Sequence, residues 1–109
     1  MIIVEGQARF RHARDIVDFR QDAEQLIRRS REEEGCLDFV VAVDLIDPCM
    51  VSVAGKWESW EAFQRHYNLD YVVNWHQQIR KKAIHGHVIQ VYDVNEITKT
   101  PRTGLSLPG

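Results

Sequence analysis

Between Ile2 and Phe10 the chain alternates. Ile2, Val4, Gly6, Ala8 and Phe10 take the even positions, and the odd positions Ile3, Glu5, Gln7 and Arg9 are mostly polar. A period of two predicts a strand with one buried face. From Asp15 to Glu34 the period lengthens. Ile16, Phe19, Ala23, Leu26, Ile27 and Ser30 follow helical spacing and leave the charges outside, which predicts a long helix. Gly35 fits the left-handed position just past its end. The acidic run Glu32-Glu33-Glu34 reads as a solvated helix end. It opposes the helix dipole by roughly a few tenths of a kcal/mol, and Arg28, Arg29 and Arg31 offset it.

Two further strands are predicted, Leu37 to Ile46 and Met50 to Glu58, joined by a turn at Asp47-Pro48. Leu37, Phe39, Val41, Val43 and Leu45 line one side of the second strand. Asp38, Val40, Ala42, Asp44 and Ile46 line the other, which is still about half apolar. A sheet covered on one side only should show a wetter second face, so the second face is expected to be buried as well, against another subunit. A helix follows from Ser59, a plausible N-cap, to Asn68. Asp70 looks like the N-cap of another, in which Val72, His76, Ile79 and Ala83 share a face beside Trp75 and which Gly86 ends. His87 to Ile97 alternates again and reads as the last strand. From Lys99 the chain is KTPRTGLSLPG, a tail without periodicity. The order strand, helix, strand, strand, helical region, strand predicts an α+β class. It is a ferredoxin-like βαββαβ domain over residues 1–98, with a four-stranded antiparallel sheet and helices on one face. Two such sheets meeting on their open faces would make a dimeric α+β barrel.

Composition narrows the class. A chain of 109 residues suits one small domain. A net charge of −2 and a pI near 6.2 argue against a basic face for nucleic acid. No apolar run reaches the roughly 18 residues a membrane span needs, and Met1 to Glu5 lacks the features of a signal peptide. Neither nucleic acid nor membrane is an expected partner, and cytoplasm is the expected location. Cys36 and Cys49 fall at opposite ends of the predicted hairpin, on the order of 30 Å apart, too far for an intrachain disulfide. They read as free thiols.

The stretch GKWESWEAFQRHYN, Gly55 to Asn68, concentrates the candidate chemistry. Trp60, Phe63 and Tyr67 share one helical face, with His66 at its edge. An ionisable ring beside aromatic ones fits a pocket where a proton is moved on a flat apolar molecule. The plainer reading is a core face with one partly exposed histidine. His85-Gly86-His87 places two imidazoles on one strand face, but without a third ligand at metal spacing it is weak as a metal site. No glycine-rich phosphate loop or nucleophile elbow is present.

Two segments resemble the antibiotic biosynthesis monooxygenase family of dimeric α+β barrels. Glu33-Glu34-Gly35-Cys36-Leu37-Asp38-Phe39 is similar to the family's E-x-G-C-L-x-Y/F. Trp57-Glu58-Ser59 through Ala62-Phe63 to His66 is similar to its W-E-S-x-x-A-hydrophobic-x-x-H. The resemblance covers roughly residues 1 to 97 and implies a homodimer. It also implies a monooxygenase that needs no metal, flavin or other cofactor and oxidises a small aromatic or quinol with molecular oxygen. On that reading His66 takes the phenolic proton, Trp57, Trp60, Phe63, Tyr67 and Trp75 form an aromatic wall with His76 nearby, and Asn68 bonds a substrate carbonyl. Two alternatives go with it. One is a non-catalytic, stress-related dimer that binds small molecules. The other is a haem-degrading relative, for which Gln7, His66 and His76 would stand where such enzymes use Asn, Trp and a His ligand. The sequence departs from the family at Gly55, where a Glu is frequent two residues before the Trp.

Overall fold

The computed structural model describes residues 1–97, apart from the side chains of residues 85–87. Strand β1 is Ile2–Phe10, helix α1 Ala13–Glu32, β2 Cys36–Val43, β3 Met50–Trp57, α2 Trp60–Tyr67, α3 Asp70–Lys82 and β4 Ala83–Asp93. The expected boundary at residue 98 and the tail beyond it lie outside the described residues.

The four strands form one antiparallel sheet in the order β2-β3-β1-β4, the ferredoxin-like α+β arrangement expected from the element order. Register explains the core. Ile2 pairs with Trp57, Val4 with Gly55 and Ala8 with Val51, so the even positions of β1 and the odd positions of β3 face the same way. Phe39 joins them from β2. The helices close this face with Leu26, Phe63, Val72, Trp75 and Ile79, all buried. Each large side chain of this set contributes about 1.5–3 kcal/mol by leaving water.

Several boundaries differ from those the pattern predicts, each for a local reason. β2 ends at Val43 rather than Ile46. The Asp44 carboxylate accepts from the backbone N–H groups of Ile46 and Asp47, both at 2.8 Å, and this turns the chain out of the sheet. Those bonds also hold the Asp44 carboxyl below the usual range. The Asp47-Pro48 turn closes as expected, with Met50 N–H on Asp47 C=O at 3.0 Å. Asp70 is the first residue of α3 and not its cap. Leu69 takes the cap position without a side-chain bond, and the Asp70 charge still complements the helix dipole. Gly86 does not end α3. The helix runs straight into β4 at Ala83, whose backbone is already extended at φ −71°, ψ 136°. Gly86 lies inside β4, where pairing with β1 slips from Gln7 opposite Val88 to Arg9 opposite His85. A glycine within a strand commonly marks such a bulge. β4 stops at Asp93, short of Ile97, and Val94 closes the sheet by bonding Met1.

α1 spans Ala13–Glu32, two residues earlier than expected at each end. Past it, Glu33 to Cys36 forms a reverse turn closed by Cys36 N–H on Glu33 C=O at 3.1 Å. Gly35 has φ +86° there, in the left-handed region expected of it. The second face of the sheet is open in the single chain. Val40, Val88 and Tyr92 are exposed on it, interspersed with polar groups such as Glu5 and Gln90. No helix among the described residues is long and apolar enough to cross a membrane.

Candidate active site

The two sequence segments meet in space. Trp57 at the end of β3 pairs with Cys36 at the start of β2. Glu58 N–H bonds Gly35 C=O at 2.8 Å. Ser59 caps α2, its Oγ accepting from Ala62 N–H at 3.2 Å, as its place before the helix predicts. α2 is thereby laid directly over the α1–β2 turn. The contact is close: a Cβ on Gly35 would lie 2.6 Å from that of Ala62. Only glycine satisfies both the positive φ and this approach.

This anchoring sets the position of His66. The residue is 4% exposed, so it is buried and not a partly exposed edge residue. It lies nearly along Trp57, with ring centroids 4.3 Å apart and planes at 36°, and Phe39 flanks it at 5.4 Å. Nδ1 faces the carboxylate of Glu33, 3.0 Å from Oε2 and 3.2 Å from Oε1. An ionised carboxylate only accepts, so Nδ1 carries the proton and donates. The neutral ring then presents Nε2 as its basic nitrogen. Burial pushes the His66 imidazole below its ordinary pKa, and the bond to Glu33 and its charge pull it back up. The outcome is an imidazole held neutral, in one tautomer, near neutral pH.

Glu33 has a second partner. The Tyr71 hydroxyl, from α3, donates to its Oε2. Burial, then the bond to Glu33, pushes the Tyr71 phenol up to about 12, so it stays a donor across the working range. The Arg29 guanidinium lies 4.2 Å over the Tyr71 ring, a cation–π contact that fixes the ring against α1. Glu33 therefore does not belong to a solvated acidic end. Glu32 and Glu34 are exposed, whereas Glu33 turns inward.

A cavity of about 50 Å³ lies between the sheet and the helices. Its walls include Phe39, Gly55, Trp57, Phe63, His66, Tyr67, Trp75 and His76. Six of the eight residues singled out from the sequence thus border one space. Tyr67 and His76 are half-buried and face each other with ring centroids 5.0 Å apart. Trp75 is buried and meets Phe19 edge-on at 6.0 Å. Trp60 and Asn68 do not line the cavity. Ala62, Phe63 and His66 centre the buried arc of α2, and at about 100° per residue Trp60 sits roughly 110° round from that centre. It is 47% exposed and packs on Phe63. The Asn68 amide is spent on the helix end, donating to Gln64 C=O at 2.7 Å.

Gly55 is also on the cavity wall. A Cβ there would stand 3.2 Å from Trp57 Nε1 and 3.4 Å from Phe39, so the indole occupies the room a side chain at 55 would take. The carboxylate of the site comes instead from Glu33. Gln7 extends on the open face toward Ser52, at 3.5 Å. His85 and His87 lie among the side chains outside the description. Among the described residues no group of three or more His, Cys, Asp or Glu could hold a metal ion. Cys36 is half-buried, its thiol pushed up by burial and then by Glu33. Cys49 lies in the turn at the far end of the hairpin.

Sequence reasoning missed two polar residues of the site. Glu33 stood in the E-x-G-C-L-x-F segment, where its place in that pattern was the available signal. Tyr71 gave none, because its contact with Glu33 spans 38 residues and exists only through the packing of α3 on α1.

A family model described as antibiotic biosynthesis monooxygenase matches residues 1–78, a span holding Glu33, Trp57, His66, Tyr71 and His76. No curated protein matches the chain significantly. Among solved structures, a provisionally named antibiotic biosynthesis monooxygenase from Deinococcus radiodurans is 23% identical, covers 91% of this chain and 97% of its own, and has a TM-score of 0.81. A conserved protein from Methanosarcina mazei Go1 is 20% identical over 84% of this chain and 89% of its own, at 0.76. Rv0793 from Mycobacterium tuberculosis is 13% identical over 90% and 98%, at 0.78. At these identities the structures share the fold.

Proposed function

Because the chain belongs to the antibiotic biosynthesis monooxygenase family, we propose that it is a cofactor-independent monooxygenase that oxidises a small aromatic or quinol with molecular oxygen. The reading rests on one observation above the others: a buried imidazole, oriented by a carboxylate, on the wall of an aromatic cavity. Ground-state dioxygen is a triplet and reacts slowly with closed-shell molecules, but an electron-rich phenolate can pass it one electron directly. The protein then has to bind the ring, remove a proton and keep water away.

His66 Nε2 takes the phenolic proton, and Glu33 stabilises the imidazolium that forms. The phenolate gives an electron to dioxygen, and the resulting radical pair joins carbon to oxygen as a peroxide. His66 returns its proton as the O–O bond breaks. The ring carbon loses its hydrogen and keeps one oxygen as a carbonyl, and the other oxygen leaves as water. Phenol plus dioxygen thus gives quinone plus water with no external reductant. Trp57, Phe63, Tyr67 and Trp75 pack the ring faces, and His76 supplies a polar group across from them. Trp60 and Asn68 come to the substrate only if binding rearranges α2. The cavity of about 50 Å³ is smaller than the roughly 150 Å³ that holds a benzene ring. Binding therefore widens it, and the half-buried Tyr67–His76 pair is the part with room to part. The protein acts as a homodimer whose partner covers the open sheet face.

A second reading, a small-molecule-binding dimer without turnover, rests on the same fold, because fold does not fix function. Oxygen uptake separates the two. Metal-free protein screened with hydroquinones, naphthols and anthrones consumes oxygen, and His66→Gln lowers kcat by about 10²- to 10⁴-fold with the fold retained by circular dichroism. Uptake unchanged in the variant removes His66 from the reaction. Thermal stabilisation by these compounds with no uptake leaves the binding reading.

A further inference from the structure

We propose that Tyr71 is a positioning residue for His66: its hydroxyl holds the Glu33 carboxylate in the orientation that presents both oxygens to Nδ1. This rests on the reading of His66 as the base, and its test is independent of turnover.

Three observations carry it. Glu33 is the first residue past α1, at a capping position with extended backbone, so its side chain is not held by a helical turn. Its carboxylate lies within 3.2 Å of His66 Nδ1 through both oxygens, and Tyr71 donates to one of them. Tyr71 is itself placed by Arg29 over its ring. Tyr71 does not border the cavity. It reaches the reacting end of His66 only through Glu33, which bridges α1, α2 and α3.

The consequence is electrostatic as well as geometric. Held by this donor, the carboxylate keeps its charge directed at Nδ1, which sets how strongly Glu33 favours the imidazolium over the neutral ring. The charged and titratable groups around the pair are few. Arg29 and Arg31 come from α1, Cys36 from β2 and Glu58 from the end of β3, while Tyr67 and His76 face the cavity. Tyr71 is the group that bonds the Glu33 carboxylate beside His66, and the buried Ser30 of α1 is the other neighbour of its hydroxyl.

Tyr71→Phe keeps the ring and the contact with Arg29 while deleting the donor. In nitrogen-15 spectra of the His66 ring, wild type shows the Nδ1–H tautomer. In the variant the ring loses its proton at lower pH, by a several-fold change in dissociation constant, because a carboxylate no longer held toward Nδ1 favours the imidazolium less. In Glu33→Gln the same Tyr71→Phe change has no further effect on the His66 titration. With an active substrate, kcat falls several-fold, its acid limb moves to lower pH, and KM stays constant because Tyr71 does not touch the ring pocket. A His66 titration unmoved by Tyr71→Phe, with or without lost thermal stability, overturns the proposal. An equal shift in the Glu33→Gln background overturns it too. If the titration moves as stated but no compound is oxidised, the proposed reaction fails and the positioning role stands.

Discussion

The protonation of His66 is decided by two opposed forces, burial against aromatic rings and the carboxylate of Glu33. Burial is the larger, so the folded ring titrates below the 6.5 of an ordinary histidine. The sign of the pH dependence follows. Between the folded and unfolded values the unfolded chain holds the extra proton, so acid favours unfolding. This part of the stability is whole above about pH 7 and is lost as pH falls through 6.5 toward the lower folded value. Glu33→Gln removes the force that opposes burial and makes the loss larger. His66→Gln removes the component altogether. Urea unfolding at pH 8 and pH 5.5 measures all three proteins. An acid loss as large in His66→Gln as in wild type shows that other carboxylates account for it.

At the scale of elements, the site is set by how α1 hands the chain to β2. The helical period of α1 was readable from Ile16 to Ser30 because an amphipathic helix repeats its signal every turn. Gly35 was readable because few residues but glycine take φ +86°. The inward turn of Glu33 was not readable from periodicity, since the three acidic residues look alike there, and only its place in the E-x-G-C-L-x-F segment set it apart. The β4 start was misread for a related reason: a glycine resembles a helix stop, while the bulge at Gly86 depends on β1 across the sheet. Gly35→Ala tests the junction. The positive φ costs about 1–2 kcal/mol, and contact with Ala62 at 2.6 Å adds about 1–3 kcal/mol as α2 is pushed away. Urea denaturation should register a loss of about 2–5 kcal/mol, with the His66–Glu33 pairing disturbed in the same nitrogen-15 spectra. A loss below about 1 kcal/mol means the turn has an alternative geometry.

The whole molecule presents a one-sided sheet, and what covers the other side bears on how the cavity opens. An antiparallel sheet can leave a face to water when that face is polar. Here Val40, Ala54 and Val88 interrupt the polar positions, and Val88 is 67% exposed. The alternation that made the strands legible also made this second face legible, because β2 carries apolar residues on both sides. A cover from another copy would pack on the backs of β1, β3 and β4, the strands that carry Gly6, Gly55 and Ile89 on the cavity side. It would stiffen the sheet, leaving α2 and α3, with Tyr67 and His76, as the parts that move when a ring enters. Sedimentation equilibrium should therefore give twice the 12.7 kDa chain mass. Val88→Glu, which puts a charge in the middle of the face, should return it to one chain mass while leaving the fold intact by circular dichroism. If oxygen uptake survives in that monomer at the wild-type KM, the cavity opens without help from the sheet face. If KM rises with the loss of the dimer, the covered face is part of how substrate is held. A wild-type chain that sediments at a single mass leaves the open face to water and removes the partner from the mechanism.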